Sequence, residues 1–369
     1  MLARIWQLVL KEFVTLLKDP RGRVILLVPP LIQTFVFGYA ATLDVTNVHY
    51  AVYDQDGGIA ARELAARFQG ASAFRQVAGV DSLGQARDLL SRGELLLVVH
   101  IGPDFTRDLL RHESAAVQLL VDGRNSNTAS IVQGYAREIV DGFSRRWAED
   151  NGWRQPPGEL VTRAWFNPNL ESRWFVVPGI IGLLLQVVVM TVTALSVARE
   201  REQGTFDQLL VTPMRPGEIL LGKALPGFII GLAEATLILC IAVFWFQVPL
   251  VGSLATLYAG VMLFLLAAVG VGLMISSLSV TMQQGLLGGF LYMVPAVILS
   301  GFATPIANMP LAVQYLTLAN PMRYFMTILR GVFLEGASAA LLWDQFWPLA
   351  VIGVVTLVLA GWMFRHRLN

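Results

Sequence analysis

One stretch of the sequence comes close to a phosphate-binding loop. Residues 217–224 read GEILLGKA, which matches the pattern G-x-x-x-x-G-K-[ST] at every position but the last. In such a loop the lysine reaches the phosphates of a nucleotide and the final hydroxyl binds Mg²⁺. Here Ala224 replaces the hydroxyl, no strand is predicted before the motif, and a long apolar run follows it. We therefore expect this chain to bind no nucleotide, so that any ATP-Mg that drives it is bound by a partner chain.

Few other side chains are placed to carry catalytic or metal chemistry. Cys240 is the one cysteine and lies in an apolar run, which leaves no disulfide framework and no cysteine metal site within the chain. The four histidines show no spacing typical of metal ligands. We expect neither a catalytic nor a metal-binding constellation.

Glu234 is the one charged residue in the apolar run 224–248. A carboxylate at the centre of a bilayer costs on the order of 3 kcal/mol on insertion scales, so this side chain is expected to face a protein interior or a wet cavity. There it would contact a substrate or a proton. Alternatively it hydrogen-bonds another helix or simply lies near the membrane interface, and the sequence leaves these possibilities open. Gln186 and Gln283 are the further polar residues that could line a translocation path with Glu234.

These residues belong to a chain with the composition of a membrane protein. It is 55% hydrophobic and 14% charged, whereas soluble domains carry roughly 25% charged residues. A helix needs about 20 apolar residues to cross a bilayer. We predict an α-helical polytopic membrane protein with six transmembrane helices, at residues 24–43, 174–198, 224–248, 254–275, 286–303 and 345–364. The net charge of +1 gives no electrostatic case for a nucleic-acid partner.

The basic residues predict the orientation of these spans, because lysine and arginine in short loops favour the cytoplasmic side. With six spans, the N-terminus, the segment 199–223 and the C-terminus fall on one side, and all three lysines lie there. We expect a bacterial inner-membrane protein with both termini in the cytoplasm. A cleaved signal peptide at 24–43 is the alternative, although its apolar run exceeds the about 7–15 residues of a typical signal.

Two regions lie outside the spans. Residues 1–23 alternate basic and apolar stripes at helical spacing, which predicts an amphipathic helix in the membrane interface. Residues 44–173 hold 14 arginines, 17 acidic residues and no lysine, and they predict an inserted extracytoplasmic α/β or α+β domain. Its predicted strands are 48–53, 95–101 and 117–121, and its predicted helices are 59–68, 83–91, 103–111 and 126–150. Substrate capture, gating, docking of an outer partner and a purely structural cap stay open as its role.

The remaining residues, 174–369, hold the second to sixth spans and two unusual segments. Residues 199–223 are short and charged. Their pattern predicts a helix that starts near Gly204 and presents Phe206, Leu209 and Leu210 as an apolar face. No span is left to bury this face, so it is expected to fit the groove of a partner.

Residues 304–331 form the second unusual segment. Pro305, Pro310 and Pro321 divide it into apolar pieces that are too short to span a membrane. Irregular backbone at membrane depth must be buried in protein or line a cavity. We therefore predict two short helices that dip back from the outer side. An ordinary surface loop is the alternative, and the apolar content of the segment argues against it.

Two motifs and this layout together resemble a known family. The pattern ERE-x-GT-x-x-x-LL-x-TP at residues 200–213 and the segment SGFATPIANMP…ANPMRY at residues 300–324 resemble the membrane subunit of type-2 ABC exporters. The branch is the multidrug type, which has a large external domain between the first two spans. The resemblance covers the whole chain, and its specificity comes from both motifs occurring in this order among these spans.

The resemblance implies a permease that pairs with a second permease, as a homodimer or with a related chain, and is driven by cytosolic ABC ATPase subunits. Drugs or other amphipathic or lipidic molecules would be its substrates, and membrane lipid and a periplasmic adaptor protein would be further partners. It implies ATPase coupling for Glu200, Arg201, Glu202, Gly204, Thr205, Phe206, Leu209, Leu210, Thr212 and Pro213. It implies an outer re-entrant gate at Pro305, Met309, Pro310, Asn320, Pro321 and Tyr324.

Two other classes of protein compete with this interpretation. A membrane-anchored ligand sensor would need a cytoplasmic output domain, and residues 199–223 are too few for one. An ion-driven transporter could use Glu234, but most proton relays would show a second carboxylate or a histidine within the spans.

Overall fold

The computed structural model describes residues 2–18, 20–40, 45, 47–124, 126–153, 166–167, 171–206 and 214–366. The chain divides into two compact units. One unit is formed by Met1–Thr42 together with Ala164–Asn369, and the other by Leu43–Arg163.

Two helices open the chain. Helix α1 covers Leu2–Lys18, and helix α2 covers Pro20–Ala40. Proline suits the start of a helix because the first turn leaves its N–H groups unbonded. Helix α2 also stays helical through Pro29 and Pro30. The amphipathic helix predicted at residues 1–23 thus ends at Lys18, and the helix at the first predicted span, residues 24–43, starts earlier, at Pro20, and ends at Ala40.

The unit Leu43–Arg163 is built on a four-stranded sheet. Its elements in chain order are β1 (Val48–Asp54), α3 (Ile59–Gly70), β2 (Phe74–Gly79), α4 (Leu83–Ser91), β3 (Leu97–Ile101), α5 (Phe105–Leu110), β4 (Val117–Val121) and α6 (Ser126–Asp150). The strand order is β2-β1-β3-β4. Strand β1 runs parallel to β2 and β3, and β4 runs antiparallel to β3. Strand β2 was not predicted, because an edge strand with exposed polar side chains lacks the apolar signature of a buried one.

A buried core and a polar cross-link stabilise this unit. Tyr50, Phe68 and Phe143 are fully enclosed between the sheet and the helices. At the end of β4, Arg124 donates to Asp122 and also to the carbonyl of Leu90 at the end of α4. The guanidinium of Arg124 lowers the pKa of Asp122 to about 2. The pair thereby connects β4 to the end of α4 on the same side of the sheet.

The rest of the helical unit follows the sheet in the sequence. Its helices are α7 (Ser172–Glu202), α8 (Pro216–Cys240, extended by the π-helical residues Ile241–Trp245), α9 (Leu254–Leu278), α10 (Met282–Ile298), α11 (Leu311–Leu316), α12 (Pro321–Arg330, extended by the π-helical residues Gly331–Glu335) and α13 (Trp343–His366). Short 3₁₀ turns lie at Ile306–Asn308 and Thr317–Ala319. Six of the helices described in this unit overlap the six predicted spans, with bounds that differ by up to eight residues.

Four helices in the described part of the chain are long and apolar enough to cross a membrane, namely α7, α8 with its extension, α9 and α13. Helix α10 is apolar but shorter, at 17 residues. It begins at Met282, before the predicted start at residue 286, and ends at Ile298, before the predicted end at residue 303. This supports a polytopic membrane protein, while the count of six spans stays a prediction.

Helix α9 lies at the centre of this unit and packs against α7, α8, α12 and α13. Phe264 of α9 stacks on Phe325 of α12, with ring centroids 4.2 Å apart. Gly270 of α9 lets α13 come close, since a Cβ there would lie 2.9 Å from the backbone nitrogen of Leu357. The bundle is therefore held by small residues at the helix crossings and aromatic residues between them.

Candidate functional site

The end of α7 carries the motif that the sequence analysis connected with ATPase coupling. Helix α7 continues through Glu202, so Glu200, Arg201 and Glu202 form its last turn and not the start of the next helix. Gly204 has φ +68°, a left-handed conformation that favours glycine and ends α7. The N–H of Thr205 donates to the carbonyl of Glu200 at 3.0 Å, which completes the cap.

Helical backbone resumes at Phe206, as the sequence pattern predicts. At the other end of the polar segment, α8 already begins at Pro216. Glu218 accepts a hydrogen bond from the N–H of Arg215 at 2.9 Å and so caps the start of α8. Much of the predicted coupling segment 199–223 is therefore a helical continuation of α7 and α8.

Glu200 is the centre of a buried cluster of charges. Its Oε1 lies 2.9 Å from Lys11 Nζ of α1, and its Oε2 lies 2.7 Å from Lys223 Nζ of α8. Lys223 Nζ also lies 3.1 Å from Glu12 Oε1 of α1 and donates to the carbonyl of Ser196 at 3.2 Å. Three helices, α1, α7 and α8, therefore meet through four charged side chains.

Lys223 is the fully buried member of this cluster, with none of its side chain exposed. An ammonium group has three donors, and Glu12, Glu200 and the carbonyl of Ser196 supply three oxygen partners. The lysine of the near phosphate loop is thus engaged within the chain. The backbone of that motif is helical, so its N–H groups bond within α8 and do not form the open loop that cradles a phosphate.

The glycine that precedes this lysine also serves the contact with α1. A Cβ on Gly222 would lie 2.4 Å from Leu8 Cδ2 and 2.8 Å from Leu8 Cγ. Leu8 therefore occupies the space that a side chain would take, and Glu12, one turn further along α1, reaches Lys223. The GK pair of the motif is explained by packing of α1 on α8.

The other two residues of the ERE motif connect α7 to the turn between α9 and α10. Arg201 Nη1 donates to the carbonyls of Ser277 and Ser279 at 2.8 and 3.1 Å, where a cation also suits the C-terminal end of α9. Glu202 Oε2 accepts from the N–H of Met282 at 2.5 Å, where an anion suits the N-terminal end of α10. We call Glu12, Glu200, Arg201, Glu202 and Lys223 the charged junction.

We expect Arg201→Met to lower the stability of the helical unit by about 1.5–3 kcal/mol, the range for hydrogen bonds to charged groups. The substitution removes both bonds to α9 and the contact of the guanidinium with the Phe206 ring, 4.9 Å away. The measurement is the midpoint of thermal unfolding of the purified protein in detergent. Arg199→Met is the matched control, because two residues turn a helix by about 200° and place Arg199 on another side of α7. Equal midpoints for the two variants would contradict the assignment.

Phe206 differs from its prediction. It was expected on an exposed apolar face, but it is only 9% exposed and packs edge-on against Phe364 of α13, with ring centroids 5.9 Å apart. Together with Leu8, Val197 and Ile219 it forms a small apolar core beside the charged junction. The chain itself covers Phe206, so a docking face would have to come from later residues. Leu209, Leu210, Thr212 and Pro213 lie outside the described residues.

The three residues predicted for a translocation path do not lie together. Gln186 of α7 and Glu234 of α8 are both buried, at 0% and 7% exposed, and neither has a hydrogen-bond partner in the described part of the chain. Gln283 is exposed in the first turn of α10, beside the residue that Glu202 caps. Gln283 therefore belongs to the surroundings of the charged junction and not to the buried pair.

The residues predicted to form an outer gate either lie at the starts of short helices or connect these helices to their neighbours. Pro305 and Pro310 directly precede a 3₁₀ turn and α11, Pro321 opens α12, and the carbonyl of Met309 accepts from Gln314. With 6 and 10 residues, α11 and α12 are too short to span a membrane.

Asn320 and Tyr324 fix α12 in its place. Asn320 Oδ1 accepts from the N–H of Met322 at 3.1 Å and caps α12, while its Nδ2 donates to the carbonyl of Ala296 on α10 at 2.7 Å. The Tyr324 hydroxyl donates to the carbonyl of Leu318 at 2.9 Å. Asn320 thus connects the start of α12 to α10, whether or not the segment moves as a gate.

Sequence reasoning missed Glu12 and gave Lys223 no role. A signal for Glu12 was present, since it follows Leu8 by four residues and so lies on the apolar stripe of a basic helix. A carboxylate on the buried side of a helix is costly unless it is paired, so a cation from elsewhere in the chain is expected beside it. Only the packing of α1 on α8 identifies Lys223 as that cation.

The chain was also compared with known proteins. A family model described as ABC-2 family transporter protein matches residues 23–362. The chain is 44% identical over 368 residues to the probable multidrug ABC transporter permease YbhR of Escherichia coli K12, covering 100% of both proteins. It is 32% identical to the probable multidrug ABC transporter permease YbhS of the same organism, over 98% of this chain and 94% of the relative. It is 23% identical to the linearmycin resistance permease protein LnrN of Bacillus subtilis, over 88% of this chain and 90% of the relative. This chain is therefore a membrane permease that belongs to the ABC-2 family of transporter proteins.

Proposed function

We propose that this chain is the permease subunit of an ATP-driven exporter in the bacterial inner membrane. In this proposal the chain crosses the membrane six times with both termini in the cytoplasm and pairs with a second permease. Separate cytosolic ATPase subunits bind and hydrolyse ATP-Mg. The names of YbhR and YbhS support drugs or other amphipathic molecules as the substrate class. Residues 44–173 would lie outside the cytoplasm, where a periplasmic adaptor protein and membrane lipid are further proposed partners.

The observation that carries this proposal is the charged junction. Residues 203–215 follow it directly in the sequence, and its contacts connect α7 to four other helices, α1, α8, α9 and α10. A displacement applied to residues 203–215 would therefore act on all of these helices at once through short charged contacts. This supports a role for the segment in receiving the motion of an ATPase.

The proposed coupling residues then divide into two groups. Glu200, Arg201 and Glu202 would transmit the motion into the bundle, and Gly204 with Thr205 would provide the break after α7. Phe206 would anchor the segment on α13. Contact with the ATPase itself is proposed for the later residues Leu209, Leu210, Thr212 and Pro213.

We expect Leu209→Asp to abolish co-purification of the permease with its cognate ATPase and to abolish transport, because it puts a charge into the proposed apolar contact. Tagged permease would be co-expressed with the ATPase and recovered from detergent-solubilised membranes. Gln208→Asp is the matched control, since it adds the same charge at the neighbouring polar position. The amount of permease in the membrane fraction should be equal for both variants. Full association and transport by Leu209→Asp would overturn the coupling proposal.

A further inference from the structure

Gln186 and Glu234 lie at one level of the seam between α7 and α8. A Cβ on Gly227 would lie 2.6 Å from Thr193 Cγ2, and a Cβ on Gly231 would lie 2.7 Å from Val189 Cγ2. From the first contact to the second, the position on α8 rises by four residues while the position on α7 falls by four, so the two helices are antiparallel. Three residues beyond the second contact, position 234 of α8 lies opposite position 186 of α7.

Both side chains are unpartnered in this buried position. Gln186 is fully enclosed and Glu234 is 7% exposed, and no hydrogen bond reaches the amide or the carboxyl group within the described residues. Buried polar groups are nearly always hydrogen-bonded, so two unpaired ones at the same level point to a partner that the chain does not supply. The nearest cation along α8, Lys223, is eleven residues or about 16 Å away and is engaged by Glu12 and Glu200.

The surroundings of the pair are apolar, and α7 and α8 pack closely beside it. Gly227 and Gly231 of α8 carry no side chain, and Thr193 and Val189 of α7 pack directly over them. A small apolar cavity of about 10 Å³ lies further along the same two helices, where Ile181 of α7 and Ala235 and Leu239 of α8 line it. Apolar surroundings around a carboxyl group and an amide, both without partners in the described residues, suit a molecule that carries a polar group on an apolar body.

The chemistry of the Glu234 carboxyl group and the Gln186 amide indicates which polar group of a ligand would bind between them. A carboxylate oxygen and an amide oxygen both accept hydrogen bonds, and a carboxylate also favours a positive charge. A protonated amine offers several N–H donors together with that charge. We propose that Gln186 and Glu234 form a recognition site, between α7 and α8, for the protonated amine of an amphipathic substrate. The proposal rests on the proposed function, since it names the substrate class of the exporter.

The test compares two fluorescent probes, one with a protonated amine and one in which acetylation has removed the positive charge. The first is a dansyl-alkylamine, and the second is the same molecule with its amine acetylated. The permease and its ATPase are reconstituted in vesicles, and ATP-dependent transport of each probe is measured. We expect Glu234→Gln to reduce transport of the amine by about tenfold or more and to leave the acetylated probe unaffected. Glu335→Gln is the control, because Glu335 is exposed and lies outside the seam.

A second measurement uses the permease with its natural sequence and needs no ATPase. A hydrophobic carbodiimide reacts with carboxyl groups in apolar surroundings, and mass spectrometry of peptides reports the modified position. We expect the dansyl-alkylamine, but not its acetylated form, to slow the labelling of Glu234. Labelling that is indifferent to the amine would overturn the proposal, even if Glu234→Gln failed to fold.

The outcomes separate this inference from the function on which it rests. Equal amine transport by Glu234→Gln and the natural sequence would overturn the site. A complex that associates with its ATPase but transports neither probe would also overturn the site. In that case the protein could still be an exporter, but of another class of substrate. Loss of the ATPase partner would overturn the proposed function, while carbodiimide labelling would still decide whether the seam binds an amine.

Discussion

Replacing Lys223 with methionine is expected to lower the thermal midpoint of the purified permease by about 6–20 °C. The substitution leaves Glu12 and Glu200 in a buried position without their shared cation. Removing one partner of a buried ion pair costs about 3–5 kcal/mol, and each kcal/mol shifts the midpoint of a domain of this size by about 2–4 °C. To measure the midpoint, the protein is heated to a series of temperatures in detergent. Size-exclusion chromatography then gives the fraction that stays monodisperse at each temperature.

Two further variants show whether the loss comes from the buried charge. Lys11 contacts the same Glu200 but keeps 51% of its side chain exposed, so Lys11→Met should cost only about 0–1 kcal/mol. A triple variant that combines Lys223→Met with Glu12→Gln and Glu200→Gln removes the three buried charges of this ion network together. It should recover most of the lost stability, because replacing a whole buried ion network is often close to neutral. A triple variant as unstable as Lys223→Met would mean that the methionine disturbs packing and not charge.

The second large effect is expected at Gly222, where valine should separate α1 from α8. A Cβ at this position would lie 2.4 Å from Leu8 Cδ2 and 3.1 Å from Leu8 Cβ, so moving the end of the leucine is not enough. Overpacking of this kind costs about 1–3 kcal/mol. Displacing α1 should also draw Glu12 away from Lys223, which adds the loss of an ion pair. We therefore expect a lower thermal midpoint together with reduced transport.

The matched control for this prediction lies in the same helix. A Cβ at Gly217 would meet no atom within 4 Å, so Gly217→Val should leave the midpoint close to that of the unchanged protein. Leu8→Ala removes the obstructing atoms but by itself costs about 2–5 kcal/mol. In combination with Gly222→Val it should cost less than the sum of the two, because the valine fills the space that Leu8 leaves. Strict additivity would show that Gly222 and Leu8 do not share this space.

Several features of the protein followed from the sequence because their signals are local. Apolar runs of sufficient length predicted helices at all six positions where the structure has them, since a span has to satisfy its backbone hydrogen bonds within itself. In Leu43–Arg163, three of the four strands and all four helices were predicted from short-range patterns. The family was predicted from two motifs and their order, and the family match over residues 23–362 confirmed it.

The roles of individual residues in the charged junction could not be predicted in the same way. Glu12 and Lys223 are 211 positions apart and Lys11 and Glu200 are 189 apart, so no local pattern connects them. The sequence presented Lys223 as the lysine of a near phosphate loop and Phe206 as part of an exposed face. The structure buries both, because α1 and α13 fold against α7 and α8.

The family, the positions of the apolar helices and every element of the α/β unit except β2 therefore followed from local patterns in the sequence. The tertiary structure alone decided which charges meet, since the partner of a buried charge is set by helix packing and not by neighbours in the chain. It also decided that the ERE motif ends α7 and connects it to α1, α8, α9 and α10. The tertiary structure likewise placed Gln186 and Glu234 opposite each other, because only the register of two packed helices can bring residues 48 positions apart to one level.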